Sequence, residues 1–278
     1  MISIVMAAYN AEKYIGDALQ SVFSQTYKDW EMIIVDDCST DGTLSIIRKT
    51  IRTWDATHEE NPVQKKIRLI QNDNNLGAGK TRKHACEQAR GEWIAILDSD
   101  DLWEPEKLSK QMALVADGLS QTKNLDLSGK ENAIEDIELV YTGSEFIDED
   151  NHILQYTLHV PGKIKYRELL KQNLISDSSV LIKRTLLIQN MVTEKNLHED
   201  FACWLQILKT GKVAYGIAEP LLIYRVSKKS KSGNKLKSAV MNWRTYRYVG
   251  LSNFEATYYM MFYVFRGLRK YRRIYKND

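Results

Sequence analysis

Two acidic motifs in the first half of the chain have the residue types and spacing for chemistry on a phosphorylated substrate. Asp36-Asp37 and Asp98-Ser99-Asp100-Asp101 each follow a run of apolar residues. One residue separates Asp98 from Asp100, so both carboxylates can face the same opening. Divalent cations such as Mg²⁺ and Mn²⁺ bind a few carboxylates and leave their other positions to substrate phosphates. An acidic run can also be a solvated turn, but its position after a buried strand favours a metal and phosphate site.

The segments that must position these acids alternate between apolar runs and amphipathic stretches. The pattern predicts strands over residues 2–8, 30–35, 67–71 and 92–97, and helices over residues 11–25, 44–54 and 79–90. Strand–helix alternation at this spacing predicts βαβ units and a mostly parallel sheet flanked by helices. Because ligands of such sheets bind beyond the carboxyl ends of the strands, Tyr9-Asn10 and the two acidic motifs should meet in one crevice.

The second half of the sequence is less regular. It predicts strands over residues 139–146, 178–182, 213–218 and 221–225, and helices over 166–172, 184–189, 201–209 and 239–275. Polar segments at 55–66 and 117–138 indicate surface insertions, and residues 228–237 have the composition of a basic, flexible loop. The predicted crevice therefore belongs to the more regular first half.

The composition is that of a globular protein, the length suits one α/β domain, and the charge is unevenly distributed along the chain. Of its 278 residues, 44% are hydrophobic and 27% are charged. Residues 221–278 contain 14 Lys and Arg against 2 Asp and Glu, whereas residues 1–220 contain 25 against 34. No apolar run approaches the ~20 residues of a membrane-spanning helix, and the cysteines form no disulfide or zinc pattern. We therefore expect an acidic globular domain in the reducing cytosol, joined to a basic C-terminal segment that binds an anionic partner.

Five motifs, taken in order, carry a family resemblance. They are Val5-Met6-Ala7-Ala8-Tyr9-Asn10, Val35-Asp36-Asp37-Cys38-Ser39-Thr40-Asp41-Gly42-Thr43, Asn75-Leu76-Gly77, Leu97-Asp98-Ser99-Asp100-Asp101 and Glu199-Asp200. Together they resemble the motifs of family 2 glycosyltransferases, above all the bacterial members that build O-antigen, capsule or teichuronic-acid polysaccharides. The resemblance implies an α/β GT-A catalytic domain over residues 1–225, with a Rossmann-like nucleotide-sugar-binding half at 1–105 and an acceptor-binding half at 106–225. Residues 226–278 would form a basic, aromatic-rich helical extension.

The resemblance also implies roles for individual residues. Those implied to contact the nucleotide are Ala7, Ala8, Tyr9, Asp36, Asp98 and Ser99. Asp36 matches the acceptor of the uracil N3–H, and Asp100 matches the ligand of the Mn²⁺ or Mg²⁺ ion that bridges the donor diphosphate. Lys80 or Arg82 stands where a basic residue approaches the nucleotide, and the sequence leaves that choice open. Asp200 matches the general base.

These residue types fit an inverting transfer of one sugar. A bound metal stabilises the charge of a leaving diphosphate, and a base takes the acceptor hydroxyl proton as C1 is attacked. The resemblance implies a nucleotide-sugar donor, most often a UDP-sugar, and a polyprenyl-diphosphate-linked saccharide as acceptor at the inner face of a bacterial plasma membrane. Beyond Asp200 the chain has Trp204 but no Gln-x-x-Arg-Trp motif, so processive synthesis is not expected.

Two other functions stay open at this point. A sugar nucleotidyltransferase has a similar sheet but needs a Gly-rich loop with Arg after the first strand, and that loop is missing here. A catalytically silent, membrane-associated partner protein is disfavoured because Asp36, Asp98, Asp100 and Asp200 occur together. His198 could contact the acceptor, although a surface or capping role is more common for such a histidine.

The basic C-terminal segment combines aromatic residues with cations. Residues 241–278 contain eleven aromatic side chains, and a cluster of cations follows them at Arg266, Arg269, Lys270, Arg272, Arg273 and Lys276. Amphipathic helices of this composition lie in membrane interfaces, and each cation near an anionic leaflet contributes ~1 kcal/mol. The alternative is that the aromatic face packs on the catalytic domain. We expect peripheral contact with an anionic membrane, and no nucleic-acid partner, since no motif supports one.

Overall fold

A central sheet organises the protein, which we describe from a computed structural model covering residues 1–123, 136–227 and 235–274. Within these ranges the sheet has ten strands. They are β1 (Ile2–Ala8), β2 (Trp30–Asp36), β3 (Ile67–Gln71), β4 (Trp93–Ile96), β5 (Leu102–Trp103), β6 (Leu139–Ile147), β7 (Ile153–Leu158), β8 (Lys163–Ile164), β9 (Leu181–Lys183) and β10 (Ala214–Arg225). The main path runs β3-β2-β1-β4-β9-β6-β10-β5, with β7 beside β6 and β8 beside β10.

Nine α-helices surround the sheet in the described ranges. They are α1 (Ile15–Phe23), α2 (Thr43–Thr57), α3 (Ala78–Glu87), α4 (Lys107–Lys123), α5 (Tyr166–Leu169), α6 (Arg184–Asn190), α7 (Glu199–Lys209), α8 (Lys235–Tyr248) and α9 (Asn253–Ile274). The first three, with the strands between them, confirm the predicted βαβ alternation. The α/β fold predicted from the sequence is confirmed.

Strand direction divides the sheet into two halves. The pairings of β1 with β2, β2 with β3 and β1 with β4 are parallel. Strand β9 then pairs antiparallel with both β4 and β6. The two strands predicted at 213–218 and 221–225 are one strand, β10, whose register shifts around Pro220. Proline cannot donate to the ladder, so it falls where the pairing is irregular.

Both faces of the sheet are buried. Alternate residues of β1 take opposite sides, with Ile2, Ile4 and Met6 packing beside helix α1. Val5 belongs to the other core, which also contains residues of α3 and α7. Side chains that alternate along a strand point to opposite faces. Each face of the parallel half therefore has its own helical cover.

The C-terminal segment differs from the single helix predicted at 239–275. Helices α8 and α9 are separated at Gly250, whose φ of +90° favours glycine. Tyr246 is fully buried, and its hydroxyl donates to the carbonyl of Leu170 at 2.7 Å. The described part of residues 226–278 thus packs on the preceding domain. Of the predicted basic loop at 228–237, residues 228–234 lie outside the described ranges.

The predicted insertion at 117–138 also needs correction, because its first residues continue helix α4 through Lys123. Residues 124–135 of that insertion lie outside the described ranges. The predicted insertion at 55–66 likewise begins inside a helix, since α2 extends to Thr57.

Candidate active site

The carboxyl end of β2 carries a carboxylate with one unused acceptor. Asp36 is fully buried and lies in register with Ala8 of β1. Its Oδ2 accepts the backbone N–H of Ser39 at 3.0 Å. Its Oδ1 is buried and has no hydrogen-bond partner among the residues that the structure describes. Buried carboxylate oxygens are nearly always paired, so this atom indicates a site for a ligand donor.

The end of β1 forms the wall next to Asp36. Ala7 is half-buried and Ala8 is buried, whereas Tyr9 is 50% exposed. Asn10 follows in the left-handed region with φ of 47°, and its Oδ1 accepts the N–H of Thr40 at 2.9 Å. The structure therefore brings the predicted nucleotide-contacting residues Ala7, Ala8, Tyr9 and Asp36 together at adjacent strand ends.

Asp37, the neighbour of Asp36, organises the loop before α3. It accepts the N–H groups of Leu76 and Gly77, each at 2.8 Å, and the side-chain amide of Asn72 at 2.9 Å. Burial alone would raise the pKa of Asp37, but these hydrogen bonds outweigh burial and hold the pKa below its ordinary value. Asp37 thus fixes the loop that leads into α3.

Helix α3 places Arg82 among carboxylates. Its guanidinium bonds to Asp98 at 2.8 Å and to Asp177 at 2.9 Å. Burial would lower the pKa of Arg82, but the charges of Asp177, Asp98 and Asp200 raise it above its ordinary value. Lys80, the other candidate for a nucleotide contact, is exposed in the first turn of α3. The two candidates therefore differ sharply in environment.

Residues 98–101, which we call the acidic turn, are held in place by hydrogen bonds from Arg225 at the end of β10. Asp101 is buried and accepts the N–H of Arg225 at 2.9 Å and the hydroxyl of Ser178 at 2.6 Å. The Arg225 Nε donates to the carbonyl of Asp100 at 2.9 Å. Asp98, Ser99 and Asp100 remain half-buried. The acidic turn therefore uses Asp101 for its own structure, while Asp98, which is paired with Arg82, and Asp100 keep part of their surface accessible to a ligand.

The environment of Asp100 suits a cation. Burial and then the charge of Asp98 raise the pKa of Asp100 to about 6. In the described ranges, its carboxylate accepts from no other side chain, and no cluster of three or more Asp, Glu, His or Cys forms a metal cage. Sites that share a cation with substrate phosphates need only one or two carboxylates. Asp98 and Asp100 therefore fit a divalent cation that binds together with a diphosphate.

The carboxylate predicted to be the base lies on a different segment. Asp200 is half-buried in the first turn of α7, where negative charge is favoured. A small pocket beside it is lined by residues that include Arg82, Asp177 and Asp200. Its neighbour Glu199 lines the same pocket and lies against Gly79 of α3, with its Oε1 3.5 Å from where a Cβ on residue 79 would stand. Both acids of the motif therefore border the same small pocket, and the charges of both act on Asp177.

Asp177 is a member of this site that sequence reasoning missed. It lies in a 3-10 turn at Asp177–Ser179, just before β9. Burial raises its pKa to about 8, Arg82 opposes that rise, and the charges of Asp200, Asp98 and Glu199 add to it. The polar run from Ser176 to Ser179 within an apolar stretch was the available signal. Arg225 was missed too, because nothing in its local sequence points to the acidic turn.

The first half of the sheet is parallel and leads into the acidic turn, whereas the second half has mixed strand directions and includes α7, between β9 and β10, which carries Asp200. This arrangement is that of the GT-A class of fold. The solved structure of S. aureus TarS residues 1–349 with UDP-GlcNAc shares this fold, with a TM-score of 0.67 over 98% of this chain and 73% of that one at 18% identity. Mannosyltransferase PcManGT from Pyrobaculum calidifontis, solved with GDP-Man and Mn²⁺, has a TM-score of 0.62 over 94% and 68% at 18% identity.

Sequence comparison is more specific. The family described as Glycosyl transferase family 2 matches residues 3–122. The Escherichia coli protein WfgD, a UDP-Glc:α-D-GlcNAc-diphosphoundecaprenol β-1,3-glucosyltransferase, is 32% identical over 279 residues, covering 100% of this chain and 97% of WfgD. The chain belongs to glycosyltransferase family 2, which confirms the predicted family and leaves the nucleotidyltransferase alternative without support.

Proposed function

We propose that this glycosyltransferase moves one sugar, with inversion, from a UDP-sugar to a hydroxyl of a polyprenyl-diphosphate-linked saccharide in bacterial surface polysaccharide synthesis. The observation that carries the proposal is the buried, unpaired Oδ1 of Asp36, at the same sheet edge as Asp98 and Asp100. An acceptor for a base N–H thus lies near two carboxylates suited to a cation and a diphosphate. UDP-Glc and a diphosphoundecaprenol-linked sugar are the substrates in the name of WfgD.

The donor nucleotide would occupy the crevice at β1 and β2. The Oδ1 of Asp36 accepts the uracil N3–H, which satisfies the otherwise orphaned oxygen. Tyr9, half-exposed at the end of β1, supplies an aromatic surface for the base. The buried Ala8 allows close approach of the nucleotide to the backbone. Of the two basic side chains, Lys80 is exposed and accessible to the nucleotide-sugar, whereas Arg82 is paired with Asp98 and Asp177.

Asp100, with Asp98, would hold a divalent cation, Mn²⁺ or Mg²⁺. When bound, such a cation stabilises the charge of the departing diphosphate as a Lewis acid. Arg82 lies behind Asp98 and orients its carboxylate through the 2.8 Å ion pair. The Arg225 Nε holds the Asp100 carbonyl, which limits movement of the acidic turn.

Asp200 would act on the acceptor side. The acceptor oxygen attacks C1 of the donor sugar, the bond from C1 to the diphosphate oxygen breaks, and UDP leaves. Asp200 takes the proton that the acceptor hydroxyl loses, which is general-base catalysis. A single displacement inverts C1 and needs no enzyme nucleophile.

Contact with an anionic membrane surface would bring the enzyme to a lipid-linked acceptor. Along α9, Phe254, Tyr258, Met261 and Phe265 recur at helical spacing with exposures of 83, 44, 61 and 69%; we call these four residues the outer stripe. On the opposite side of α9, Ala256 is buried and Tyr259 packs against the core. No helix in the described ranges is long and apolar enough to cross a membrane. An exposed apolar stripe followed by cations suits peripheral contact at the inner face of the plasma membrane.

The proposal is tested by assaying purified protein with UDP-, GDP- and dTDP-sugars and a synthetic GlcNAc-diphospho-lipid acceptor, with Mn²⁺, with Mg²⁺ and with EDTA. We expect metal-dependent UDP release that rises with acceptor, and a β-linked product by NMR. Preference for a GDP- or dTDP-sugar would overturn the proposed donor, and an α-linked product from an α-linked donor would overturn inversion.

A further inference from the structure

The start of α7, which carries Asp200, is held by hydrogen bonds from the C-terminal helix α8. The backbone N–H of His198, the residue just before α7, donates to the Oγ1 of Thr245 at 3.1 Å. The Nε2 of His198 lies 3.1 Å from both the carbonyl oxygen and the hydroxyl of Ser238. Because a carbonyl oxygen only accepts, Nε2 carries the proton. Both Ser238 and Thr245 are buried, so these bonds are shielded from water.

These contacts act directly on the geometry of the first turn of α7. The carbonyl of His198 accepts the first helical hydrogen bond, from the N–H of Ala202 at 2.9 Å. Asp200 lies two residues after His198, inside that turn. The loop that precedes it contains Asn196 in the left-handed region, with φ of 65°. His198 joins the loop at Asn196 to helix α7. Because Asp200 lies in the first turn of that helix, the position of His198 affects the position of the Asp200 carboxylate.

The same contacts continue to α9. The hydroxyl of Ser238 lies 3.0 Å from the hydroxyl of Tyr263. Tyr263 belongs to the helix whose other face carries the outer stripe. Polar contacts therefore connect α9, α8 and the start of α7 in series.

We propose that His198, Ser238 and Thr245 are positioning residues for Asp200, so that the C-terminal helix pair forms part of the acceptor half of the active site. The inference rests on the proposed role of Asp200 as the base. It assigns to residues 235–263 a part in the chemical step, in addition to any part in membrane contact. None of the three belongs to the donor or cation site proposed above, so their loss should change transfer and leave donor binding unchanged.

The test is Thr245→Val, which keeps the branched shape and removes the acceptor of the His198 N–H. We expect kcat for transfer to fall by about 10- to 100-fold, as for a displaced catalytic group, while donor KM and calorimetric donor affinity stay at wild-type values. The matched control is Thr257→Val on α9, where the hydroxyl makes the same bond to the carbonyl four residues earlier but is exposed. All assays are run well below each variant's Tm, so that lost stability alone leaves kcat unchanged.

A double-mutant cycle separates this inference from the function on which it rests. If Thr245 acts through Asp200, adding Thr245→Val to Asp200→Asn should cost little more than Asp200→Asn alone. Independent, multiplicative losses would overturn the inference. Near-normal transfer by Asp200→Asn would instead overturn the proposed base. Normal kcat in Thr245→Val, alongside a strong loss in Asp200→Asn, would overturn the positioning role and leave the base assignment intact.

His198 gives a second readout that tolerates a folding defect in any one variant. His198→Gln keeps an N–H donor that can reach Ser238, whereas His198→Ala removes it. We expect kcat for transfer to recover by about tenfold or more in His198→Gln relative to His198→Ala, with equal donor affinity. Equal kcat values for the two variants would argue against the bond to Ser238.

Discussion

Asp36 and Asp98, on the proposed donor side, lie at or just beyond the ends of buried parallel strands. Asp200, on the proposed acceptor side, lies in the first turn of α7, and His198 just before that helix bonds to α8. The donor-side acids inherit their positions from β1, β2 and β4, whose register is continuous. The Asp200 side depends on bonds such as that between His198 and Thr245, 47 residues apart. The donor side should therefore be sensitive to changes in its own side chains, and the acceptor side to distant ones as well.

The largest effect should come from Asp100→Ala. A cation stabilises a departing diphosphate by several kcal/mol, so turnover should fall by roughly 10³-fold or more, to the level of wild type in EDTA. UDP release at saturating Mn²⁺ measures this. Asp29→Ala, at the opposite edge of the same sheet, should keep wild-type turnover. Full activity of Asp100→Ala would remove the metal from the mechanism.

Asp200→Asn should separate the two halves most clearly. The amide keeps the size of the side chain but cannot take a proton, so transfer should fall by ~10²–10⁴, while donor affinity by calorimetry stays at the wild-type value. Glu199→Gln is the matched control, because Glu199 borders the same pocket but is not the proposed base, and it should cost much less. Lost donor binding in Asp200→Asn would contradict the division into halves.

Asp36→Asn tests the orphaned oxygen. The remaining side-chain oxygen must still accept the Ser39 N–H. The new NH2 group would then face the uracil N3–H, and two hydrogen-bond donors would oppose each other. An unsatisfied buried pair costs ~1–3 kcal/mol, so the Kd for UDP should rise by about 10- to 100-fold while kcat changes less. Unchanged UDP affinity would show that the base binds elsewhere.

The outer stripe can be tested with Phe265→Ser. Burying a phenylalanine contributes ~1.5–3 kcal/mol, so partition into anionic liposomes should weaken by about tenfold or more. Ile188→Ser, an exposed apolar residue on α6, is the control. Deleting residues 239–278 would be a poor test, because it removes the buried Tyr246 and exposes the core. Sedimentation of Phe265→Ser equal to that of wild type would exclude this face.

The smallest effect concerns pH. The raised pKa of Asp100, about 6, means that its carboxyl holds a proton in the folded state where the unfolded chain has lost it. Stability contributed by that proton is present at low pH and is lost as pH rises to about 6. A cation needs the deprotonated form, so stabilisation by Mn²⁺ with UDP should grow as pH rises through about 6. Thermal unfolding over a pH range that begins near the ordinary pKa of 3.8 and extends well above 6 measures both trends, and Asp100→Asn should flatten them.

The donor side could be predicted from sequence because its signals are local. The strands at 2–8 and 67–71 have the predicted bounds, and polar residues mark the ends of β1, β2 and β4. The acidic turn could be predicted from the single apolar strand, β4, that precedes it. Arg225, by contrast, reaches Asp101 across 124 residues, and no local pattern encodes a contact of that length.

The C-terminal segment shows the same limit. Composition suggested either a membrane-facing arm or an aromatic face packed on the domain. The structure has a packed face at Tyr246 and Tyr259 and an exposed face at Phe254 and Phe265, so each alternative describes one side. Helical periodicity distinguishes the two faces of α9, but which of them meets the core depends on where α8 and β7 lie. The site roles that the resemblance implied stay predictions.

The long reach of Arg225 also sets the order in which the enzyme becomes competent. At synthesis rates of ~5–20 residues per second, Arg225 follows Asp101 out of the ribosome by about 6 to 25 s. During that interval the parallel strands can pair, but Asp101 lacks the backbone donor that holds the acidic turn. A nascent chain that ends before β10 would therefore lack the two Arg225 hydrogen bonds that hold the proposed cation site. If Asp98 and Asp100 hold the cation as proposed, incomplete chains should therefore not hydrolyse the donor sugar.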